Sequence, residues 1–288
     1  MSVPAAFEYH TAQTVDEAIA LLQQYGDEAK VLAGGHSLIP AMKLRLSQPE
    51  HLVDIGRISG LSYIREDGNA VAIGALTTYS TLERSELLRQ HFPLLPEGTS
   101  LIGDTQVRNR GTIGGSLAHS DPASDMPGIV LALKGEMVVQ GSKGKRTVKA
   151  DDFFLGTFTT ALEPDEILVE IRLPIPAART GSAYEKLANK ASHYAVAGCA
   201  AVISLSGDGT CSAASIAITG ASMQTSRASA VEAALVGKKL DEATVAEAAS
   251  HAPEGLDLVA DIHGSKEYRS NMTTVVTRRA ILRAAERV

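Results

Sequence analysis

The sequence predicts a protein of three successive units in which strands and helices are mixed. Residues 1–57 alternate strand and helix patterns in the manner of a βαβ unit, and residues 58–175 combine hairpin patterns with several helices. Residues 177–288 change to three strand patterns followed by three helical ones. The segment Pro174-Ile175-Pro176 is the best candidate for the main boundary. A chain of 288 residues is also long for one core and favours two or three units.

The first unit begins with a short extended segment near residues 7–9. A helix follows, because Thr14 and Glu17 form a capping box before an apolar helical stripe, and Gly26 ends it. The remaining predicted elements are a strand over residues 30–33, a helix over 38–46 with Pro40 in its first turn, and a strand over 51–55.

The second and third units are predicted from turn residues and periodicity. Asp67-Gly68-Asn69 separates two strands of a hairpin, and Gly141-Ser142-Lys143-Gly144 separates two more. Predicted strands of the second unit are residues 62–65, 70–73, 136–140, 146–149 and 167–173, and its helices are 78–88, 94–102, 126–133 and a turn at 151–155. In the third unit we predict strands at 183–187, 197–205 and 213–219, and helices at 227–235, 242–251 and 265–286.

Composition excludes several classes of function. The net charge of -6 argues against nucleic acid as the main partner, because phosphate binding requires a basic surface. No secretory signal or membrane-spanning run is found, so a cytoplasmic protein is expected. A disulfide between Cys199 and Cys211 is possible, but two reduced thiols are favoured. Two cysteines cannot hold an iron–sulfur cluster, and the eight scattered histidines predict no metal site.

Two glycine pairs carry the main functional signal. Ala33-Gly34-Gly35-His36-Ser37 follows an apolar strand-like run, and Thr112-Ile113-Gly114-Gly115-Ser116 repeats the arrangement. Glycine lets the backbone approach a ligand closely, and successive N–H groups form an anion site. We therefore predict two loops that grip one pyrophosphate, with simple tight turns as the alternative. Neither segment matches the Rossmann or Walker motif.

These two segments resemble the paired FAD-pyrophosphate motifs of the molybdenum hydroxylase flavoproteins, the family of xanthine dehydrogenase and carbon monoxide dehydrogenase. Residues 106–119 and 264–279 are similar to the same family, and the resemblance covers nearly the full chain, with most similarity to the carbon monoxide dehydrogenase medium chain type. The resemblance implies an α+β fold. It consists of a two-part FAD-binding domain of the vanillyl-alcohol-oxidase (PCMH) type and a smaller C-terminal α+β domain with a three-stranded antiparallel sheet and helices.

The resemblance also implies roles for particular residues. Residues 33–37 and 112–116 should bind the FAD diphosphate, while Asp125 should accept hydrogen bonds from ribityl or ribose hydroxyls. Apolar contacts to the cofactor are implied for Ile102 and Leu168. Lys186 should lie near the flavin ring and Tyr194 should approach its face. The alternatives are a helix N-terminal charge for Asp125, core positions for Ile102 and Leu168, and a solvated strand lysine for Lys186.

Three histidines and one tyrosine bear on the electron acceptor, the attachment of FAD and the absence of a predicted catalytic residue. The position of Tyr194 in Ser192-His193-Tyr194-Ala195 separates this chain from xanthine dehydrogenase and counts against NAD as acceptor. His36 occupies the place where some distant flavoproteins attach FAD covalently, although the resemblance implies non-covalent FAD. His119 and His193 are expected to be structural, and no catalytic residue is predicted.

The implied function is electron transfer within a larger oxidoreductase. The resemblance implies a molybdenum-pterin large subunit, a small subunit with two [2Fe–2S] clusters, and a dimer of heterotrimers. This chain would bind FAD and pass electrons to an external acceptor of the quinone type. The alternatives are a stand-alone flavin oxidase or dehydrogenase with its own substrate site and a non-catalytic nucleotide-binding protein. The basic residues 143–146 are expected at a solvated hairpin tip or against an acidic partner.

Overall fold

The computed structural model describes residues 3–288, so residues 1 and 2, where the predicted first unit starts, lie outside it. Strands in the described residues form sheets of three, five and four strands and one two-stranded ribbon. Helices pack against each of the three larger sheets. The mixture of helices and strands confirms the predicted α+β class.

The first sheet is parallel and comes from the first 54 residues. Its strands have the order β1-β3-β2, which places the earliest strand at one edge. The elements are β1 (Glu8–Thr11), α1 (Val15–Tyr25), β2 (Ala29–Leu32), α2 (Leu38–Lys43) and β3 (His51–Asp54). The predicted helix start is confirmed, because the Thr14 hydroxyl accepts a hydrogen bond from the Glu17 backbone N–H at 3.1 Å.

The second sheet is antiparallel and has the order β4-β5-β10-β6-β7. Its strands are β4 (Ile64–Asp67), β5 (Ala70–Gly74), β6 (Glu136–Gly141), β7 (Gly144–Lys149) and β10 (Ile167–Pro174), and β8 (Phe154–Gly156) and β9 (Thr159–Thr160) form the ribbon. Between these strands lie α3 (Tyr79–Arg84), α4 (Glu86–His91), α5 (Leu94–Ser100), α6 (Thr105–Arg108), α7 (Ile113–His119), α8 (Asp125–Ala132) and α9 (Ala150–Phe153).

The third sheet contains the three long antiparallel strands that the sequence predicts, together with a short fourth strand. It consists of β11 (Thr180–Ala188), β12 (Ala195–Leu205), β13 (Cys211–Thr219) and β14 (Ser226–Arg227), and it is followed by α10 (Ser229–Leu235), α11 (Glu242–Ser250) and α12 (Lys266–Ala285). Buried Arg269 fixes α12 to this sheet, since its guanidinium donates to the carbonyls of Val196 and Gly220 at 2.7 Å.

Three apolar cores join the sheets. The largest contains residues of the second sheet and its helices, and Tyr184 and Ala200 of the third sheet pack into it. A second core lies between the third sheet and the last three helices. The third core joins the first sheet and α1 to Ile167 and Val169 of β10. Strand β10 therefore contributes to two cores and links the first and second sheets.

Several predicted elements differ in detail from the structure. The helical turn expected over residues 151–155 ends at Phe153 and strand β8 follows, and the helix expected from residue 227 begins at Ser229, after strand β14. The helix expected over residues 78–88 is divided, because Ser85 is extended and its hydroxyl accepts from the Leu88 N–H to start α4. The second glycine pair lies in the first turn of α7 instead of a loop. The predicted divisions at residues 57 and 176 stay predictions. Within residues 3–288, no helix has both the length and the apolar character needed to cross a membrane.

Candidate functional site

A cavity of about 820 Å³ lies between strand β2 of the first sheet, strand β10 of the second sheet and the loop that joins β11 to β12 of the third. This volume is within the range of about 300–1,000 Å³ that is common for small-molecule and cofactor sites. Its walls include both glycine pairs, Leu168 of β10 and the segment from Ser192 to Tyr194. Residues that are far apart along the chain therefore enclose one space.

The first glycine segment leaves β2 and forms one wall. Gly35 has a φ of +74°, a backbone conformation that favours glycine. A Cβ atom on Gly34 would lie 2.3 Å from the carbonyl oxygen of Arg110, so this segment touches the residues that precede the second glycine pair. Among the hydrogen bonds within residues 3–288, none uses as donor the backbone N–H of Gly34, Gly35, His36 or Ser37. These amides are available to an anion.

The second glycine pair begins α7. The Thr112 hydroxyl caps the helix by accepting from the Gly115 N–H at 3.1 Å. The N–H of Gly114 donates to the Ala75 carbonyl at 2.9 Å. The position requires glycine because a Cβ there would lie 2.5 Å from the Cβ of Ala75. A Cβ on Gly115 would point towards Ala33, at 3.9 Å. The two glycine segments therefore face each other across a short gap.

A buried carboxylate, Asp125, lies at another wall of the cavity. Asp125, the first residue of α8, accepts from the Tyr184 hydroxyl at 2.6 Å and from the Lys186 ammonium at 2.9 Å. Lys186 also donates to the His193 carbonyl at 2.8 Å. Burial raises the pKa of Asp125, while the Lys186 charge and the Tyr184 hydrogen bond oppose that rise. Burial also raises the pKa of Tyr184 well above its ordinary value, so its hydroxyl stays a donor.

Two tyrosines place further hydroxyl groups at the cavity. Burial raises the pKa of Tyr79, and the hydroxyl of Ser116 lies close enough to oppose that rise. Withdrawal from water raises the pKa of Tyr194, and the neighbouring carboxylates of Asp121 and Asp125 raise it further. Both phenols therefore stay protonated at neutral pH and can donate hydrogen bonds.

The structure brings together all but two of the residues proposed from the sequence. Those that line the cavity are Ala33, Gly34, Gly35, His36, Ser37, Ile102, Thr112, Gly114, Gly115, Ser116, Asp125, Leu168 and Tyr194. Ile113 is fully buried in the largest core. Lys186 does not line the cavity, and its ammonium group meets Asp125 behind the wall.

The histidines near the cavity have partners within the protein. The Nδ1 atom of His36 lies 2.9 Å from the Gly34 carbonyl oxygen. His119 packs against Phe158 with ring centroids 4.9 Å apart, and burial lowers the pKa of its imidazole. The ring of His193 covers Gly103 so closely that a Cβ on Gly103 would lie 2.5 Å from it.

Sequence reasoning missed several residues of the cavity wall. Tyr79, Asp121, Ser124 and Phe158 all line it. Tyr79 lies in an ordinary amphipathic helix, so nothing in its local pattern distinguishes it from a core residue. Asp121 and Ser124 belong to the polar segment between α7 and α8. The only feature of the sequence that could have indicated a place in the cavity wall was the position of this segment just before Asp125.

Comparison with known proteins identifies the family. Residues 5–176 match the family described as the FAD binding domain in molybdopterin dehydrogenase. Residues 182–284 match the CO dehydrogenase flavoprotein C-terminal domain. The chain therefore belongs to the FAD-binding medium subunits of molybdenum hydroxylases of the carbon monoxide dehydrogenase kind, and it is a subunit of an oxidoreductase.

Individual relatives are similar over almost the whole chain. The carbon monoxide dehydrogenase medium chain of Hydrogenophaga pseudoflava is 46% identical over 97% of both chains. Subunit alpha of the 6-hydroxypseudooxynicotine dehydrogenase complex of Paenarthrobacter nicotinovorans is 37% identical over 99% of this chain and 96% of its own length.

Two solved structures have nearly the same fold as this chain. A chain of Hydrogenophaga pseudoflava carbon monoxide dehydrogenase has a TM-score of 0.95 at 49% identity, covering 99% of this chain and 98% of its own. A chain of quinoline 2-oxidoreductase from Pseudomonas putida 86 has a TM-score of 0.92 at 36% identity, with the same coverage.

Proposed function

We propose that this chain binds FAD non-covalently in the cavity and transfers electrons within a molybdenum hydroxylase. The observation that carries the proposal is the convergence of the two glycine segments, with a run of free backbone N–H groups on one of them. A cavity of about 820 Å³ is large enough to accommodate much of a dinucleotide cofactor. FAD, when bound, supplies a centre that exchanges electrons singly or in pairs.

The residues of the cavity divide into polar and apolar contacts. We infer that the free amides of residues 34–37 and the hydroxyl of Ser116 hold the diphosphate, since successive free backbone N–H groups form an anion site. The N–H groups of residues 113–116 are bonded within the protein. Asp125 keeps acceptor capacity beyond its bonds to Tyr184 and Lys186, since a carboxylate has about four lone-pair sites. Ile102 and Leu168 supply apolar surface.

Lys186 has an indirect role in this proposal. Its ammonium group neutralises Asp125 and also donates to the carbonyl of His193, the residue immediately before Tyr194. We infer that Lys186 is a positioning residue that fixes the Asp125 carboxylate and the segment from Ser192 to Tyr194. It acts on the cavity through these neighbours.

The partners are proposed from what the relatives are called. Several relatives are named as medium chains or as subunits of dehydrogenase complexes. We propose a molybdenum-pterin large subunit and a [2Fe–2S] small subunit as partners, in a cytoplasmic dimer of heterotrimers. Both cysteines of this chain are buried, consistent with clusters that are held elsewhere. We further propose division into subdomains at residues 1–57, 58–175 and 177–288.

Cofactor binding is tested on the full chain, alone and co-expressed with the genes for its proposed partners. We expect flavin absorbance to co-purify with the complex and acid precipitation to release the flavin into the supernatant. A yellow pellet would contradict non-covalent binding. Protein that stays colourless after addition of excess FAD to the complex would contradict the proposed function.

The proposed acceptor is tested without knowing the substrate. The complex is reduced with a limiting amount of dithionite and mixed with a soluble quinone or with NAD⁺ while the flavin absorbance is followed. We expect rapid return of the oxidised spectrum with the quinone and little change with NAD⁺. The opposite preference would contradict a quinone-type acceptor.

A further inference from the structure

Two histidines and a glutamate meet at the edge of the first sheet, outside the cavity. Glu8 and His10 lie on edge strand β1, and His51 lies on the central strand β3. Glu8 lies opposite His51 where β1 pairs in parallel with β3. Because alternate residues of a strand face the same side, His10 lies on the side that Glu8 occupies.

The distances between the ligand atoms are those of a metal site. His10 Nε2 lies 3.1 Å from His51 Nδ1, and the Glu8 carboxylate oxygen lies 3.5 Å from His51 Nδ1 and 3.9 Å from His10 Nε2. Two ligands about 2.0–2.1 Å from a tetrahedral zinc ion are about 3.3 Å apart. Within residues 3–288, this is the one group of three or more potential ligands whose atoms all lie within 4.8 Å.

The two imidazoles are held in place by Tyr25, the last residue of α1. The ring of Tyr25 stacks on His51 with centroids 3.7 Å apart and on His10 with centroids 4.9 Å apart. The histidine side chains are largely buried, whereas the Glu8 side chain is 72% exposed. Two nitrogen ligands are therefore fixed before a metal arrives, and a carboxylate can close over the ion from the solvent side.

We propose that Glu8, His10 and His51 bind a divalent transition-metal ion of the Zn²⁺ type, with solvent at the remaining position. Two imidazoles and one carboxylate suit zinc and neighbouring metals better than calcium or magnesium, which prefer oxygen ligands. Binding replaces the contact between the two imidazole nitrogens, and each neutral ring then carries its single proton on the nitrogen that faces away from the ion. The ion connects the edge strand β1 to the central strand β3 and stabilises the folded protein by mass action.

The test uses the full chain without a histidine tag. Co²⁺ is added as a spectroscopic probe, and Zn²⁺ affinity is measured by competition with a chromophoric chelator. We expect one equivalent of Co²⁺ to give the visible d–d bands of a tetrahedral site and one equivalent of Zn²⁺ to displace it. His10→Gln and His51→Gln should each weaken Zn²⁺ binding more than tenfold, and Glu8→Gln by a smaller factor.

His91→Gln is the matched control. The His91 side chain is 17% exposed, and its Nε2 atom lies 3.0 Å from a Glu66 carboxylate oxygen, so it has the carboxylate partner but lacks the second imidazole. It should bind Zn²⁺ as the wild type does. Glu8→Gln changes an exposed side chain, so its loss of affinity cannot be ascribed to misfolding. Wild-type protein without the tetrahedral Co²⁺ spectrum, or unchanged affinity in both histidine variants, would overturn the proposal.

Discussion

Gly34 lies against the backbone of Arg110, with room for hydrogen but not for a methyl group between them. A Cβ atom on Gly34 would be 2.3 Å from the Arg110 carbonyl oxygen and 2.9 Å from the Cα of Gly111. Backbone atoms cannot move aside as a flexible side chain can, so the first glycine segment keeps its place only if residue 34 is glycine. This contact joins the two parts of the chain that the proposed diphosphate site requires.

Gly34→Ala is therefore expected to abolish FAD binding. The methyl group forces the two glycine segments apart and lowers the free energy of unfolding by about 1–3 kcal/mol, a usual cost of overpacking. Flavin absorbance per chain after reconstitution and the urea midpoint measure the two effects. Gly207→Ala is the control, since a Cβ there meets no atom within 4 Å, and it should leave both values unchanged. Full flavin content in Gly34→Ala would contradict the proposed site.

Two helix caps allow stability to be separated from cofactor binding. Thr14 and Thr112 each cap a helix by accepting a backbone N–H bond at 3.1 Å, but only Thr112 lines the cavity. Either change to alanine should cost about 1 kcal/mol of stability. We expect weaker FAD affinity in Thr112→Ala alone, measured by titration of the flavin fluorescence. Equal affinity in both variants would show that α7 does not contribute to the site.

Lys186→Met should make stability fall as the pH rises. Burial already raises the pKa of Asp125, and loss of the ammonium group removes an opposing charge. Below the pKa that the Asp125 carboxyl has in the unfolded chain, this carboxyl is protonated in both the folded and the unfolded state. The folded variant then contains no unpaired charge at this position. As the pH rises, the unfolded chain ionises first, so stability declines until the pH passes the folded-state pKa. Urea midpoints measured from about pH 4 to about pH 8 follow this decline in stability.

At neutral pH, the loss in Lys186→Met should reach about 3 kcal/mol, typical of breaking a buried ion pair. Arg278→Met is the control, because Arg278 and Glu242 form an exposed pair at 3.4 Å and its loss should cost less than about 1 kcal/mol. Asp125→Asn combined with Lys186→Met should remove the pH dependence. If Lys186→Met has the same pH dependence of stability as the wild type, ionisation of Asp125 does not destabilise the folded variant and the prediction is wrong.

Both cysteines should resist alkylation in the folded protein. Burial raises the pKa of Cys199 to about 12, and burial also raises the pKa of Cys211. At pH 8, about one Cys199 in 10,000 is then a thiolate, which is the reactive form. We expect no iodoacetamide adduct by mass spectrometry in native protein and two adducts in urea. Two unlabelled cysteines in urea that become reactive after reduction would instead indicate a disulfide.

The order of the longer elements was predictable because the turn chemistry is strong, whereas the short elements α6, α7, β8, β9 and β14 were not predicted. Asp67-Gly68-Asn69 marks one hairpin, and β4 and β5 pair across it as expected. Helix α1 was predictable from the Thr14 cap. The division at Ser85 was missed because a serine within an amphipathic pattern can either continue a helix or cap the next one, and packing decides between them.

The candidate site was only partly visible in the sequence. The glycine pairs were conspicuous because they are local motifs, and their convergence is a property of the fold. Tyr79 could not be recognised, since its place in the cavity depends on the contact of the start of α3 with Gly111 and Ser116. The sequence likewise predicted no metal site, because 41 positions separate His10 from His51. Parallel pairing of β1 with β3 brings them together, and no spacing rule for local metal motifs would find that pair.

The cavity wall from Ser192 to Tyr194 is synthesised only after about two thirds of the 288-residue chain. A nascent chain that stops short of Tyr194 has both glycine segments but lacks the residues that close the cavity over them. We therefore expect a chain that ends before Ser192 to bind the flavin less tightly than the full chain, because one wall of the cavity is missing.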